Sequence, residues 1–443
     1  MRNRTLGLLT LVSCLSFIFF SGPSAYSADK PYIAVGSAKA RKVVLAIAPI
    51  RSEARAGSEA EIIRDTLSSD LTFMDLFRFL GTTSFIEPVS AGIAPGSFKM
   101  TDWSSIGAEF VIKARVGHEA GTLKLEGHLY DTAGNRVVLS KRYVAGNGEP
   151  KILAHSFAND IVTALTGLPG IFLTKIVMSC GQNGKKDLFL MNFDGTDVRR
   201  LTRHNSIAFA PAWHPDGAKI AYSVYTKNSA NVRNIDLYEM DFRDRTVRLV
   251  SNRKGINSGA SYSPDGRRIA ATLSFSGNPE IYVFTATGQS ATRITQSFGF
   301  DVDPTWSPDG TKLAFVSSRS GMPMVYSMNA DGSNVQRLTF AGRYNATPTW
   351  SPTNNKIGFA GWIDGRFDIF IMNPDGTTIE RLTKNQGNNE DPSFSPDGNF
   401  IAFSSNRTGQ SNIYVMNVDG TFTKRLTYGL GNCSMPKWSL ITR

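Results

Sequence analysis

The chain has 443 residues, with 48 Lys and Arg against 37 Asp and Glu for a formal net charge of +11, and at about 150 residues per domain its length implies more than one domain. The positive excess is not gathered into a basic run with interleaved aromatics, which argues against nucleic-acid binding and suits an anionic neighbour. Beyond an N-terminal apolar run, no segment is apolar for long enough to cross a bilayer.

That run, Leu6 to Phe20, follows Arg2 and Arg4 and precedes the small residues Ser21, Gly22, Ser24 and Ala25, the layout of an export signal. Cleavage after Ser27 assigns residues 1–27 to the signal, starts the mature chain near Ala28 and places it in the periplasm. Losing Arg2 and Arg4 takes the net charge from +11 to +9. Leu11-Val12-Ser13-Cys14 resembles a lipobox, but the apolar run continues past Cys14, unlike the polar tether of a lipoprotein. In the next segment, Tyr32, Ile33 and Val35 favour a strand that Gly36-Ser37-Ala38 interrupts. Residues 28–41 are therefore either an arm that pairs with another chain by strand addition or an edge strand of the first domain.

Residues 28–168 mix helix and strand patterns and read as one α/β domain. Lys42 to Ile50 is a strand, Ser58 to Leu71 a helix with Ser58 as N-cap and Glu61 completing a capping box, and Phe110 to Val116 another strand. Leu123 to Tyr130 and Arg136 to Val144 flank the turn Thr132-Ala133-Gly134-Asn135 as a hairpin. A helix from Pro150 to Leu165 ends at Gly167, and Leu168-Pro169-Gly170 is a stiff connector.

Residues 171–443 repeat. An aromatic followed by a turn recurs as Trp213-His214-Pro215-Asp216-Gly217, Tyr262-Ser263-Pro264-Asp265-Gly266, Trp306-Ser307-Pro308-Asp309-Gly310, Trp350-Ser351-Pro352, Phe394-Ser395-Pro396-Asp397-Gly398 and Trp438-Ser439, at spacings of 49, 44, 44, 44 and 44. A period of that length in strand-rich sequence is one blade of a β-propeller. Within a unit, Pro308-Asp309-Gly310 reverses the chain. Lys312 to Val316, Met324 to Met328 and Gln336 to Thr339 then supply the second, third and fourth strands, the last carrying an Arg-Leu-Thr signature. Six copies predict six blades. The unit near Ile171 lacks a first strand, and Pro436-Lys437-Trp438-Ser439 is a first strand without successors, so the chain ends should meet in one blade and leave no open edge.

The two mature cysteines fall at that seam. By repeat register Cys433 corresponds to Asp301 and Cys180 to Ser317, one residue short of direct opposition if Trp306 pairs with Leu313. A β-bulge would close the gap and allow a disulfide in an oxidising compartment, the alternative being two free thiols.

An enzyme is the competing class. No G-x-S-x-G elbow occurs, and His118, His128, His155, His204 and His214 show neither an H-E-x-x-H pair nor other metal spacing. His155 reads as a packing or surface residue of its helix. Asp216, Asp265, Asp309 and Asp397 are explained by turn chemistry, since one P-D-G offers too few oxygens for calcium. No cofactor, metal or catalytic residue is expected, although a composite hydrolase or lyase site at the channel mouth needs no local motif. More informative are the segments entering each first strand, with Asp301, Asp303, Asn345, Thr347, Asn389, Glu390 and Asp391. Equivalent positions around a ring gather at one mouth of the channel, either as a binding site or as solvated loops.

The signal, the α/β domain, the junction Ala164-Leu165-Thr166-Gly167 before Gly170-Ile171-Phe172-Leu173-Thr174-Lys175-Ile176, and the repeats with S-P-D-G and M-N-x-D-G-x-x-x-R-L-T together resemble the TolB family of the Tol-Pal envelope system. Two units depart from the pattern, with Asp241-Phe242-Arg243-Asp244 and Thr353-Asn354-Asn355 in place of Asp-Gly turns. The resemblance implies a non-enzymatic periplasmic scaffold, monomeric and peripheral to membranes, that supports outer-membrane integrity and constriction at cell division. It implies that the channel face binds the peptidoglycan-associated lipoprotein Pal, with His204, Asn205 and Phe209 joining the mouth residues, and serves some imported bacteriocins. It also implies that the N-terminal arm, with Tyr32, Ile33 and Val35, contacts TolA.

Overall fold

A computed structural model describes residues 41–440 apart from 54–55, 89, 146–147 and 228–231. The expected export signal and the expected arm residues Tyr32, Ile33 and Val35 lie outside the described residues. No described helix is long and apolar enough to cross a membrane.

The first unit contains β1 (Val43–Ile47), β2 (Arg51–Ser52), α1 (Gly57–Phe73), β3 (Phe77–Phe79), α2 (Met100–Ser105), β4 (Phe110–Glu119), β5 (Thr122–Asp131), β6 (Arg136–Val144) and α3 (Pro150–Thr166). Its sheet runs β3-β1-β4-β5-β6, with β2 beside β4. β1 is parallel to β3 and β4, and the β4-β5-β6 meander is antiparallel. Ile63 and Leu67 of α1 and Phe157 and Ile161 of α3 bury against Leu45 and Ile112. Gly127 in β5 is needed there, because a Cβ would stand 2.7 Å from the Phe157 ring. Gly167 ends α3 in the left-handed conformation, φ 74°.

One expectation for this unit needs correction. α1 starts at Gly57 with Ala56 as its N-cap and no side-chain cap, so Ser58 lies inside the first turn and its hydroxyl donates to Glu59 instead of closing a box with Glu61. The short elements β3 and α2 carry too few residues for a legible period. His155 is a packing residue, its Nδ1 2.7 Å from the buried carboxyl of Asp70 on α1.

The second unit is a six-bladed β-propeller of four-stranded antiparallel sheets. Blade 1 joins Asn432–Trp438 to Lys175–Gln182, Lys185–Asn192 and Arg199–Arg200, so the two ends of the propeller segment close the ring. Blades 2 to 6 begin at Ala208, Asn257, Asp301, Asn345 and Asn389. Each repeated motif has a local function. The S-P-D-G turn is tied by the Thr311 N–H donating to Asp309 and the Lys312 N–H to the Ser307 hydroxyl, 3.0 and 2.9 Å, with Gly310 at φ 70°. The aromatic that precedes it reaches the preceding blade in two cases: the buried Trp306 indole donates to Ser261 O at 3.1 Å, and the half-buried Trp213 indole to Lys437 O at 2.9 Å.

The Arg-Leu-Thr motif is only partly a strand. The outermost ladder of blade 4 covers Gln336–Arg337 and stops there. The threonine hydroxyl instead accepts the Val325 N–H, and its counterparts Thr202, Thr295 and Thr383 donate to an acid at the head of the third strand, Asp187, Glu280 and Asp368. Arg200, Arg293 and Arg381 clasp the same acids. Arg and Thr two residues apart therefore fix the outer edge of a blade to its interior.

Candidate functional site

Strand direction sorts the loops onto two faces. The S-P-D-G turns and the turns between third and fourth strands share one end of the ring. Phe73 of α1 packs there against Phe193, Phe400 and Phe422, with ring centroids 5.0, 5.1 and 5.8 Å apart. The loops that enter each innermost strand, and those between second and third strands, share the opposite end. Among the described residues, the α/β unit thus packs on the turn face, at blades 1 and 6, and the mouth face lies at the opposite end. That mouth face carries exposed apolar side chains, among them Phe275, Phe298, Met322, Phe340 and Tyr428, with Phe298 wholly exposed.

Every innermost strand enters the channel through a β-bulge, for in all six blades the pairing slips by one residue between its first and second halves. In each, one residue takes a left-handed backbone: Ala210, Gly259, Asp303, Thr347, Asp391 and Met435, with φ between 46° and 61°. Five of these are not glycine, and a β-branched threonine at φ 46° is strained. Strain of about 1–3 kcal/mol per such residue persists only where surrounding structure enforces it, and it clusters at functional sites. The bulge turns these residues and their predecessors toward the channel.

The bulge also divides the residues expected at the mouth. Asp301, Asn345 and Asn389 precede it and are buried. Asp301 is bound by Arg319 at 2.9 Å, the Asn345 amide donates to Ala341 O at 2.9 Å, and Asn389 accepts from Arg407 at 2.9 Å while donating to Asp368 at 3.0 Å. Period-two alternation turns this position into the blade, where these three side chains are buried rather than presented at the mouth. Asp303, Thr347, Glu390 and Asp391 instead come together around a cavity of about 610 Å³ that opens on the mouth face and also touches Tyr344 and Trp362. The sequence reading missed those aromatics, which sit in a connecting loop and in the second strand of blade 5, outside the repeated positions. Phe209 occupies the position equivalent to Glu390 and stacks on Tyr225, centroids 5.2 Å apart. His204 Nε2 lies 3.0 Å from the Tyr222 hydroxyl, burial pushes its imidazole below the usual range, and Asn205 accepts from the Lys185 ammonium at 2.5 Å.

The channel is electrostatically tight. Burial pushes the Asp303 carboxyl up to about 6, with Lys437 opposing the shift and Asp391 adding to it. Burial lowers the Lys437 ammonium, which Asp391 and Asp303 favour. Asp391 accepts hydrogen bonds from the Ser404 hydroxyl and the Met435 N–H, both at 3.0 Å. Glu390 is raised by burial and by Asp391. Among the described residues, no group of three or more His, Cys, Asp or Glu side chains is arranged to hold a metal ion.

At the seam, Cys433 and Cys180 are directly paired across the innermost and second strands of blade 1 and are joined by a disulfide. The bulge between Ser434 and Lys437 supplies the one-residue shift that puts them opposite each other.

Family models agree with this division. The model described as the TolB amino-terminal domain matches residues 31–138, and that of the TolB beta propeller domain matches 162–361 and 345–441. The chain is similar to the Tol-Pal system protein TolB of Desulfosudis oleivorans, 35% identical over 305 residues, 68% of this chain and 66% of that protein. It is 36% identical over 205 residues to the Tol-Pal system protein TolB of Anaeromyxobacter dehalogenans, 46% of this chain and 47% of that protein. The alignments therefore span about half to two thirds of these relatives, by 47% and 66%. The crystal structure of TolB from Acinetobacter baumannii superposes with a TM-score of 0.78 at 25% identity, covering 90% of this chain and 97% of that one.

Proposed function

The chain belongs to the TolB family, and from that premise we propose that it is a non-enzymatic periplasmic component of the Tol-Pal system. In this reading it binds Pal through the mouth face of the propeller and TolA through residues 28–41, and so supports outer-membrane integrity and constriction at cell division. Bacteriocins are candidate further ligands of the same mouth. The observation that carries the proposal is the mouth face, apolar at its rim and acidic at its centre, while the α/β unit packs at the opposite end. Exposed aromatic patches rimmed by polar groups mark protein interfaces.

The test uses the purified mature chain and the periplasmic domain of Pal from the same cell. Phe298→Asp with Tyr428→Asp should weaken binding at least tenfold and leave the melting temperature unchanged, because both side chains are exposed. Removal of residues 28–41 should leave Pal binding intact and abolish capture of TolA. Pal binding that survives the mouth substitutions but disappears with the arm would reverse the assignment.

A further inference from the structure

We propose that the cavity beside the channel mouth receives one cationic side chain, a lysine or arginine presented by the docking partner. This rests on the reading of the mouth as the docking face and names the chemistry at its centre. Two walls are aromatic: the Trp362 and Phe367 rings meet edge to face at 4.9 Å and 79°, and Tyr344 meets Phe367 at 5.6 Å and 78°. Rings set perpendicular to one another offer a π face from more than one side, the arrangement that holds a desolvated ammonium or guanidinium.

The floor carries the countercharge. Glu390 lines the cavity and, among the described residues, its carboxylate accepts no hydrogen bond and pairs with no cation. Two neighbouring cations are engaged by other groups. Lys437 lies deeper in the channel by Asp303 and Asp391, and the Lys186 ammonium donates to the Ser434 hydroxyl at 2.9 Å. Arg343 also lines the cavity, but from its exposed edge and, among the described residues, without an ion pair to Glu390 or Asp303. The Thr347 hydroxyl also lines the cavity, and it is buried without a hydrogen-bond partner among the described residues. An acid without a cation, an unsatisfied hydroxyl and perpendicular rings all become satisfied when a donor-bearing cation enters. A space of about 610 Å³ holds a whole lysine or arginine side chain. Carboxylate ligands are disfavoured, since they would meet Glu390 and Asp303 across the same space.

The full mature chain can be titrated with capped Gly-Arg-Gly, Gly-Lys-Gly, Gly-acetyl-Lys-Gly and Gly-Glu-Gly tripeptides, following the Trp362 indole N–H resonance assigned with Trp362→Phe. The arginine and lysine peptides should shift that resonance saturably, and the acetylated and acidic peptides should bind at least tenfold more weakly. Glu390→Gln, which keeps shape and removes charge, should reduce the cationic peptides' affinity at least fivefold with an unchanged melt. Equal binding of all four peptides, or no effect of Glu390→Gln, would overturn the inference. Pal binding that Phe298→Asp weakens but Glu390→Gln leaves intact refutes the cation pocket and spares the docking face. Pal binding indifferent to every mouth substitution refutes both.

Discussion

Breaking the Cys180–Cys433 bond should cost the propeller several kcal/mol, because the bond joins residues 253 apart in sequence. It therefore closes nearly the whole ring as a covalent loop. Chain-entropy arithmetic for a loop of that length gives about 5.5 kcal/mol at 25 °C, while measured gains from disulfides are more often about 2–4. At about 2.1 cal/mol/K of unfolding entropy per residue over a propeller of this size, these figures correspond to a fall in Tm of about 4–10 °C. Cys180→Ala with Cys433→Ala also removes two buried sulfurs, so the crosslink must be separated from the cavities. Cys433→Ala alone breaks the bond but vacates one site, and should accordingly account for most of the double variant's loss. Urea unfolding without reductant provides the assay. The m-value should rise in both variants, since the uncrosslinked unfolded chain exposes more surface. Refutation would be a wild-type Tm within 1 °C of the double variant, or two titratable thiols per unfolded, unreduced chain.

Other expectations follow from the same packing. Trp306→Ala should destabilise by about 3–5 kcal/mol, the range for core aromatics. Trp306→Phe should cost less, because it keeps most of the buried ring and gives up the bond to Ser261 O; equal losses in a thermal melt would contradict this. Asp368→Ala should cost about 3–5 kcal/mol by leaving Arg381 without its buried partner. Met324→Ala, at the same position of blade 4, should cost only the lost packing, about 2–5 kcal/mol, and should show no dependence on salt in denaturation curves. The Asp303 carboxyl is raised from 3.8 to about 6 in the folded protein, so the native state holds its proton more tightly than the unfolded chain does. Its contribution to stability is thus full below about pH 4 and lost as pH rises through about 6. Asp303→Asn should accordingly gain on wild type between pH 4.5 and 7.5 in urea titrations, and an advantage independent of pH would refute that account.

The repeat was legible because turn chemistry and aromatic packing both demand fixed residue types at a fixed interval. Pro308-Asp309-Gly310 and Trp306 recur for reasons that hold in every blade, and the seam between the chain ends followed from counting strands. The α/β unit was less legible at its short elements, where β3 has three residues and α2 six. Ser58 misled because a capping box is a local pattern, while the start of α1 is set by where Ala56 and Ala60 bury. The acids at the mouth were visible as a cluster, yet which of them face the channel was not. That depends on the bulge, and no residue type marks a bulge that accepts Ala210, Gly259, Asp303, Thr347, Asp391 and Met435 alike.

That tolerance explains where this propeller can carry specificity. The residue before each pair of channel positions is constrained, being buried in every blade as Ala208, Asn257, Asp301, Asn345, Asn389 and Cys433. The aromatic at the end of the strand is constrained too, by packing against the preceding blade. Between them, the bulge holds two residues at the channel by backbone geometry alone, so their side chains are free to differ from blade to blade. Phe209, Ser258, Val302, Ala346, Glu390 and Ser434 at one position, and the six left-handed residues at the next, give each blade its own chemistry. Acids concentrate on blades 4 and 6, at Asp303, Glu390 and Asp391, and the one lysine among the innermost strands from Ala208 to Trp438, Lys437, comes from the strand that closes the ring. The channel is therefore charged on one side and apolar near Phe209 and Ala210, which orients any segment that enters it. Exchanging Phe209 with Glu390, as Phe209→Glu with Glu390→Phe, keeps composition and bulge geometry but rotates that asymmetry. The swapped chain should fold with an unchanged circular dichroism spectrum and lose partner binding at least tenfold, whereas retained binding would mean that the ring acts through its overall charge rather than through the placement of each residue.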